Sequence, residues 1–113
     1  MIKRVGIYAL PEGTDPDKFW EYHKKVHTVD AMRVGGPRLK RYVISRVTKV
    51  IKGEQKYFGM AETWWDSEEE MNQAFEVDAS IDKASSGKSV RDDFHSQVTN
   101  HFLAVMEEYV VKE

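Results

Sequence analysis

Residues 39–65, LKRYVISRVTKVIKGEQKYFGMAETWW, form the stretch that decides the fold. Residues Leu39 to Ile51 are rich in β-branched side chains and end at Lys52-Gly53-Glu54-Gln55. An extended pattern then resumes from Lys56 to Trp65. β-Branched and aromatic runs favour strands, and a short glycine-containing break joins adjacent antiparallel strands. The stretch therefore predicts a β-hairpin.

A strand and two helices are predicted around this hairpin. Residues 2–10 alternate apolar and polar side chains, which is typical of a half-buried strand. Asp15-Pro16 is a helix start, since an aspartate can cap free amides and proline fits the first helical position. This first helix is predicted to run to about Arg33 and to end at Gly35-Gly36-Pro37. After the hairpin, the capping box at Ser67-Glu68-Glu69-Glu70 predicts a second helix of about ten residues.

The last third of the chain is predicted to hold a polar loop, a short helix and a strand. Residues Asp78 to Lys88 contain Ser85-Ser86-Gly87, and we expect this segment to be a mobile pocket rim or lid. A short helix is predicted from Val90 to Gln97. Residues His101 to Val111 are apolar and β-branched and favour a last strand, although Val105-Met106-Glu107-Glu108 would also suit a helix.

The predicted order of elements is strand, helix, strand, strand, helix, strand. This is the α+β, ferredoxin-like βαββαβ plan, in which an antiparallel four-stranded sheet carries its helices on one face. We expect residues 1–113 to form one domain. Because an exposed apolar sheet face is costly in water, we also expect a homodimer that pairs the two uncovered faces.

Composition excludes several classes of function. The chain has 113 residues, a net charge of −2 and no cysteine. Thiol catalysis, zinc fingers, iron–sulfur clusters and disulfides are therefore excluded, and a reducing, cytoplasmic location is expected. The small negative charge gives no attraction to phosphate backbones, so no nucleic-acid partner is expected. No window approaches a membrane span, so no membrane partner is expected either.

The first predicted helix carries titratable groups on its apolar side. Its apolar arc contains Phe19, Trp20, Tyr22, Val26, Val29 and Ala31. His23, His27 and Asp30 fall inside the same arc, and polar groups that face a core need partners. The two histidines either line a pocket or are core-edge residues that bond to a backbone carbonyl or to Asp30.

The spacing His23-x-x-x-His27 also resembles helical metal sites. A third ligand would have to be Asp30, Glu62, His95 or His101. A catalytic metal usually needs three protein ligands, and the sequence does not give the distance of any of these residues from the histidine pair, so we expect no metal.

The second strand of the hairpin places a carboxylate in an apolar row. By the period of two, Glu62 shares a face with Phe58, Met60 and Trp64, where desolvation would tune it as a general acid or base. The alternative is an ion pair with Arg41 or Arg46 on the neighbouring strand. Trp64 and Trp65 must face opposite sides, one toward the helices or a pocket and one toward the dimer face. His95 and His101 are interpreted as solvated or helix-end histidines.

Several segments resemble the EthD family of dimeric α+β barrels. They are Phe19-Trp20-Glu21-Tyr22-His23 with His27, Gly36-Pro37-Arg38-Leu39-Lys40-Arg41-Tyr42-Val43, Ala61-Glu62-Thr63-Trp64-Trp65-Asp66-Ser67-Glu68-Glu69, and Glu107-Glu108-Tyr109-Val110-Val111. The resemblance implies a ferredoxin-like subunit, a dimer formed by the two sheets, and a cofactor-free pocket between sheet and helices. In isomerase-like relatives a histidine on the first helix and a tyrosine on the second strand lie in the pocket. His27 and Tyr42 occupy the matching places.

The leading hypothesis is a cofactor-independent isomerase, cyclase or lyase that acts on a lactone, a polyketide or an aromatic catabolite. His27 would be the base, with Tyr42 or a protonated Glu62 as the donor to an enolate oxygen. The side chains expected to bind the substrate are His23, Trp20, Trp64 and Phe94. The alternatives are a non-catalytic ligand-binding barrel, or a haem-binding barrel with His27, His95 or His101 as the iron ligand. Absence of a Soret band after haem addition would remove the haem alternative.

Overall fold

A computed structural model of the protein describes residues 1–75 and 90–113. Within them, four strands form one antiparallel sheet with the order β2-β3-β1-β4. The strands are β1 (Ile2–Ala9), β2 (Arg41–Arg46), β3 (Gly59–Trp65) and β4 (Thr99–Glu107). The predicted mobile segment from Asp78 to Lys88 lies outside the described residues.

The predicted hairpin and last strand are present, but the hairpin strands are shorter than predicted and the last strand begins at Thr99 and ends at Glu107, not at Val111. β2 and β3 pair antiparallel from Arg41 opposite Trp64 to Arg46 opposite Gly59. β1 pairs with both β3 and β4 and so occupies the centre of the sheet. The helical alternative for Val105 to Glu108 is wrong, because the chain is extended in β4 through Glu107.

The first predicted helix is present but contains a π-helical turn. It consists of α1 (Pro16–Tyr22), the π turn (His23–His27) and α2 (Thr28–Gly35), followed by a short 3₁₀ turn (Gly36–Arg38). The Asp15 carboxylate accepts hydrogen bonds from the backbone N–H groups of Asp17 and Lys18. The helix ends where Gly36 takes a φ of 57°, a conformation that glycine adopts without strain.

The π turn changes which side chains face the core. Phe19 in α1 is buried, but Val26 and Val29 are 37% and 61% exposed, so the predicted apolar arc is wrong at these two valines. A π turn adds one residue to a helical turn, which shifts the inward face of every residue that follows it. The predicted arc holds only for an uninterrupted α-helix.

Two shorter helices, α3 (Glu68–Phe75) and α4 (Val90–His95), complete the layer over the sheet. The Ser67 hydroxyl accepts a 3.1 Å hydrogen bond from the Glu70 amide, which is half of the predicted capping box. Buried side chains from the sheet and the helices form two core clusters. These contain Tyr8, Phe19, Phe94 and Val98, and Trp65, Met71 and Ala74. No helix in the described residues has the length and apolarity to cross a membrane.

The described helices cover one face of the sheet and leave the other uncovered. Trp65 is almost fully buried under the helices, and the alternation of β3 places Trp64 on the opposite face. The uncovered face also carries the apolar side chains of Phe102 and Met106, which are 51% and 38% exposed. An apolar face of this kind is typical of a surface that pairs with another protein.

Candidate functional site

A pocket of about 110 Å³ lies between the helices and the covered face of the sheet. Its wall is mostly apolar, with contributions from Leu39, Trp65, Phe75, Phe94 and Leu103. The side chains that carry polar groups on this wall are Arg4, His27, Tyr42, Thr63, His95 and His101. Ligand sites usually combine an apolar wall with a few convergent polar groups, so this pocket is the candidate functional site.

His27 reaches the pocket from the last position of the π turn. Its ring stacks on Phe94, with 4.4 Å between the ring centroids. Burial lowers the pKa of His27 to about 4, an effect that the charge of Asp93 opposes and that of His95 reinforces. The imidazole is therefore neutral at pH 7. Its nitrogens have no hydrogen-bond partner among the described residues, so they are available to a ligand.

Tyr42 reaches the same pocket from β2. Burial raises the pKa of Tyr42 above its ordinary value, although the positive charge of Arg4 partly opposes this effect. The phenol therefore keeps its proton at pH 7. Within residues 1–75 and 90–113 its hydroxyl forms no hydrogen bond, so Tyr42 can donate one to a ligand.

His95 and His101 meet in the pocket as a pair. Their rings are nearly perpendicular, with 4.5 Å between the centroids. Burial lowers the pKa of His101 to about 4, with smaller effects in the same direction from His95 and Arg4. The absence of a side chain at Gly6 makes room for this ring, because a Cβ atom there would lie 3.1 Å from Nε2 of His101.

His95 is the last residue of α4, which agrees with the prediction of a helix-end histidine. His101, in contrast, lies within β4 on the pocket side. The interpretation of His101 as a solvated or helix-end residue is therefore wrong. The alternation of β4 was the signal that could have found it, since His101 is in phase with Leu103, which also lines the pocket.

His23 belongs to the core and does not line the pocket. Its side chain is fully buried, and its Nδ1 atom and the Tyr8 hydroxyl form a hydrogen bond of 2.9 Å. Burial, together with a smaller effect of the neighbouring His27, lowers the pKa of His23 to about 3. The expected partners, a carbonyl or Asp30, are corrected to Tyr8. Asp30 instead lies 3.6 Å from Arg33.

Glu62 and Trp64 lie on the uncovered face, away from His27 and Tyr42. Glu62 forms a 3.0 Å ion pair with Lys3, so the alternative of a pair with Arg41 or Arg46 is wrong. Trp64 donates its indole N–H to the Glu108 carboxylate. Strand alternation shows which residues share a face, but it does not show which face the helices cover. The expectation that Glu62 and Trp64 line the pocket is therefore wrong, because both lie on the face that the helices leave uncovered.

Of the other predicted wall residues, Phe94 lines the pocket and Trp20 does not. Trp20 lies on the outer side of α1, where its ring is 6.3 Å from that of Phe58 and 5.3 Å from the guanidinium of Arg46. Trp65 is the tryptophan of the Trp64-Trp65 pair that lines the pocket, and the lining residues that the sequence did not indicate include Arg4, Thr63 and Phe75. Among the described residues, no three histidine or carboxylate side chains lie close enough together to hold a metal ion.

Comparison with known proteins supports the fold. No protein-family model and no curated protein matches the sequence. Among solved structures, an EthD family protein from Bacillus halodurans is 24% identical with a TM-score of 0.73, and the match covers 96% of this chain and 99% of that one. SnoaB, a cofactor-independent oxygenase from Streptomyces nogalater, is 11% identical with a TM-score of 0.65, over 99% and 97%.

A dimeric ferredoxin-like protein of unknown function from Thermobifida fusca is 10% identical with a TM-score of 0.67, over 93% and 88% of the two chains. The chain therefore has the ferredoxin-like fold of dimeric α+β barrels, and its structural neighbours include EthD family proteins, as the resemblance implied. At these identities the likeness concerns the fold and does not carry an activity.

Proposed function

We propose that this protein is a cofactor-independent isomerase, cyclase or lyase that moves a proton next to a carbonyl group of a small cyclic molecule. A lactone, a polyketide or an aromatic catabolite is the substrate class. The observation that carries the proposal is that His27 and Tyr42, both neutral at pH 7 and both without a hydrogen-bond partner in the described residues, open on one largely apolar pocket. Proton transfer to and from carbon needs this pair of roles.

In this proposal the neutral imidazole of His27 takes the proton from the carbon beside the carbonyl. A histidine with a pKa of about 4 is a weak base in the empty pocket. An enolate that forms beside the ring raises the proton affinity of His27, because opposite charges favour the charged form. The imidazolium then returns the proton to the same or another carbon of the substrate, which leaves the enzyme unchanged.

Tyr42 provides the complementary donor. As the carbon–hydrogen bond breaks, negative charge moves to the carbonyl oxygen, and the Tyr42 hydroxyl donates a hydrogen bond to that oxygen. Such a bond strengthens as charge develops, and a largely apolar pocket strengthens it further. The stacked rings of Phe94 and His27 provide a flat wall that suits a planar enolate.

Deuterium exchange tests the proposal without knowledge of the natural substrate. The protein is incubated in D₂O with α-angelica lactone and with 1-tetralone, and loss of the protons next to each carbonyl is followed by NMR. We expect catalysed exchange for at least one probe, with slower exchange in Tyr42→Phe and no catalysed exchange in His27→Ala. Trp20→Phe is the matched control, because Trp20 lies outside the pocket.

Tight binding of the probes without exchange would contradict the catalytic proposal and favour a non-catalytic binding barrel. Exchange that persists in both pocket variants would contradict the residue assignment instead. The two results are distinguishable because binding can be followed separately through a change in tryptophan fluorescence, to which Trp65 in the pocket wall contributes.

The active form in this proposal is a homodimer in the cytoplasm. Its support is the uncovered face, with the exposed apolar side chains of Phe102 and Met106, together with the dimeric state named for the Thermobifida fusca protein. Pairing these faces would remove apolar area from water, which is the main driving force for association.

A further inference from the structure

We propose that His101 binds the substrate, and that the pocket therefore takes small cyclic molecules with two oxygen functions, one bound by Tyr42 and the other by His101. The inference rests on the proposed function, in which Tyr42 binds the carbonyl oxygen beside the carbon that loses its proton. It adds a second functional group to the substrate, which is a carbonyl or a hydroxyl group on the other side of the ring.

His101 brings hydrogen-bonding groups to the pocket that the proposed proton transfer does not use. Its ring lines the pocket and contacts the rings of Tyr8, Phe94 and His95, but its nitrogens form no hydrogen bond with the part of the chain that the structure describes. Burial is the main cause that lowers the pKa of His101 to about 4, so the ring is neutral at pH 7. One nitrogen of a neutral imidazole donates and the other accepts. His101 can therefore bind a carbonyl or a hydroxyl oxygen.

Tyr42 and His101 reach the pocket from the two edge strands of the sheet, β2 and β4. Between these strands, Gly6 of β1 and Ala61 of β3 lie opposite each other and form part of the pocket floor. The ring of His101 extends over Gly6, which is two strand spacings, or about 10 Å, from β2. A six-membered ring with an oxygen atom at each end spans about 11 Å between its two hydrogen-bonding partners. One small ring can therefore contact both side chains.

Gly6 permits this position of His101. A Cβ atom at residue 6 would lie 3.1 Å from Nε2 of His101 and 3.1 Å from Cδ2 of Leu103, so a larger side chain would displace the histidine ring. Glycine weakens the interior of a strand, and it often marks the close approach of another group. In β1 that group is the ring of His101. The ring is therefore held at the floor of the pocket, within reach of a ligand.

The unused hydrogen-bonding groups of His101 give the pocket a preference. A ligand that covers a polar side chain without a matching group leaves that side chain unpaired, which weakens binding. A ring with one oxygen function can pair with Tyr42 or with His101, but not with both. A ring with a second oxygen function pairs with both side chains. Sites built to hydrogen-bond a polar group discriminate against the analogue that lacks it, so the pocket should favour the ring with two oxygen functions.

A pair of neutral ketones tests the inference. Cyclohexanone and 1,4-cyclohexanedione have the same ring and differ by the second carbonyl group. We expect the wild-type protein to bind the dione about tenfold more tightly, whereas its two equivalent carbonyl groups alone would give a preference of about twofold. The dissociation constants are measured at pH 7 by titration with ligand-observed NMR.

Two substitutions assign this preference to His101. Methionine and glutamine have side chains of similar length, but glutamine donates hydrogen bonds and methionine does not. His101→Met should therefore reduce the preference for the dione to about twofold, and His101→Gln should retain most of it. Tyr42→Phe should also reduce the preference, because it requires a donor at each end of the ring. Trp20→Phe is the control outside the pocket and should leave the preference unchanged.

A preference of about twofold or less in the wild-type protein would overturn the inference, and so would no binding of the dione at millimolar concentration. These results need no variant, so they stand even where a substitution prevents folding. An undiminished preference in His101→Met would also overturn the inference. Binding needs no proton transfer, so the expected preference without deuterium exchange would support the role of His101 and contradict the proposed catalysis. Exchange without the preference would support the catalysis and overturn the role of His101.

Discussion

Acidification from pH 7 to pH 5 should destabilise this protein, because it buries histidines in their neutral form. His23 is fully buried, and burial lowers its pKa to about 3, from an ordinary value of 6.5. His27 and His101 are partly buried, and burial lowers the pKa of each to about 4. Between these values and 6.5, the unfolded chain binds protons that the folded chain does not. The stabilisation is therefore complete above pH 6.5 and is lost as the pH falls toward the folded pKa values.

The loss of unfolding free energy due to His23 follows from the difference between its pKa in the folded chain and its pKa in the unfolded chain. At pH 5 an unfolded histidine is about 1.5 units below its pKa, while the folded His23 is still neutral, which corresponds to a loss of about 2 kcal/mol at 1.36 kcal/mol per unit. His27 and His101 also stay largely neutral at pH 5 in the folded chain, so they contribute losses of the same sign, which solvent screening reduces because both side chains are partly exposed. The sum is a large part of the roughly 5 to 15 kcal/mol that stabilises a typical domain.

Urea unfolding followed by circular dichroism, at one protein concentration and at pH 7, 6 and 5, measures the effect. His23→Gln should cost stability at pH 7 but about 2 kcal/mol less at pH 5, since glutamine does not titrate. Phe19→Leu, a packing change beside the same ring, should cost the same at both pH values. An equal cost of His23→Gln at pH 7 and pH 5 would refute the reasoning.

Three further predictions concern the site, the sheet and the assembly. Tyr42→Phe should lower kcat for deuterium exchange by about tenfold to a thousandfold with little change in melting temperature. His27→Ala should abolish turnover and also leave the melting temperature nearly unchanged. A loss of about 1 to 3 kcal/mol of stability in His27→Ala would indicate that His27 has a core role instead. Gly59→Ala should destabilise by about 2 to 4 kcal/mol, because a Cβ there would lie 2.5 Å from the Ser45 carbonyl oxygen, whereas Gly53→Ala, in open space at a φ of 106°, should cost about 1 kcal/mol. Light scattering at micromolar concentration should give twice the 13.1 kDa chain mass, and a 13.1 kDa particle would contradict the homodimer.

The sequence predicted those parts of the fold that depend on local chemistry. Asp15 and Ser67 cap helices because their side chains accept from amides close by in the chain, and such contacts can be read from spacing alone. The hairpin follows from a β-branched run before Gly53 and an extended, aromatic-rich run after it. The π turn could not be predicted, because one additional residue in a helical turn leaves no mark on composition or capping.

The candidate site was only partly predictable, since it depends on how distant elements meet. His27 and Tyr42 could be placed by resemblance. The prediction for Glu62 was wrong about the face of the sheet. Glu62 and Thr63 point to opposite faces, but this alternation does not show which of the two faces the helices cover. Arg4 carried no signal at all in its own strand, and its position opposite Thr63 follows only from the pairing of β1 with β3.

The π turn also makes the helix adjustable in evolution by a change of a single codon. Deletion of one of the exposed residues Lys24 or Lys25 would shorten the turn to ordinary α-helical geometry without touching the buried side chains before it. Because the turn would lose the additional residue and its wider geometry together, every later residue would keep its direction relative to the sheet. His27 would stay on the pocket, and the cap at Asp15 and the core around Phe19 would stay in place. Loss of the π geometry without a deletion would instead rotate the later residues by about 100° and turn His27 away from the pocket. The helix can thus lose one residue with no change at the site, but it cannot lose the π turn alone.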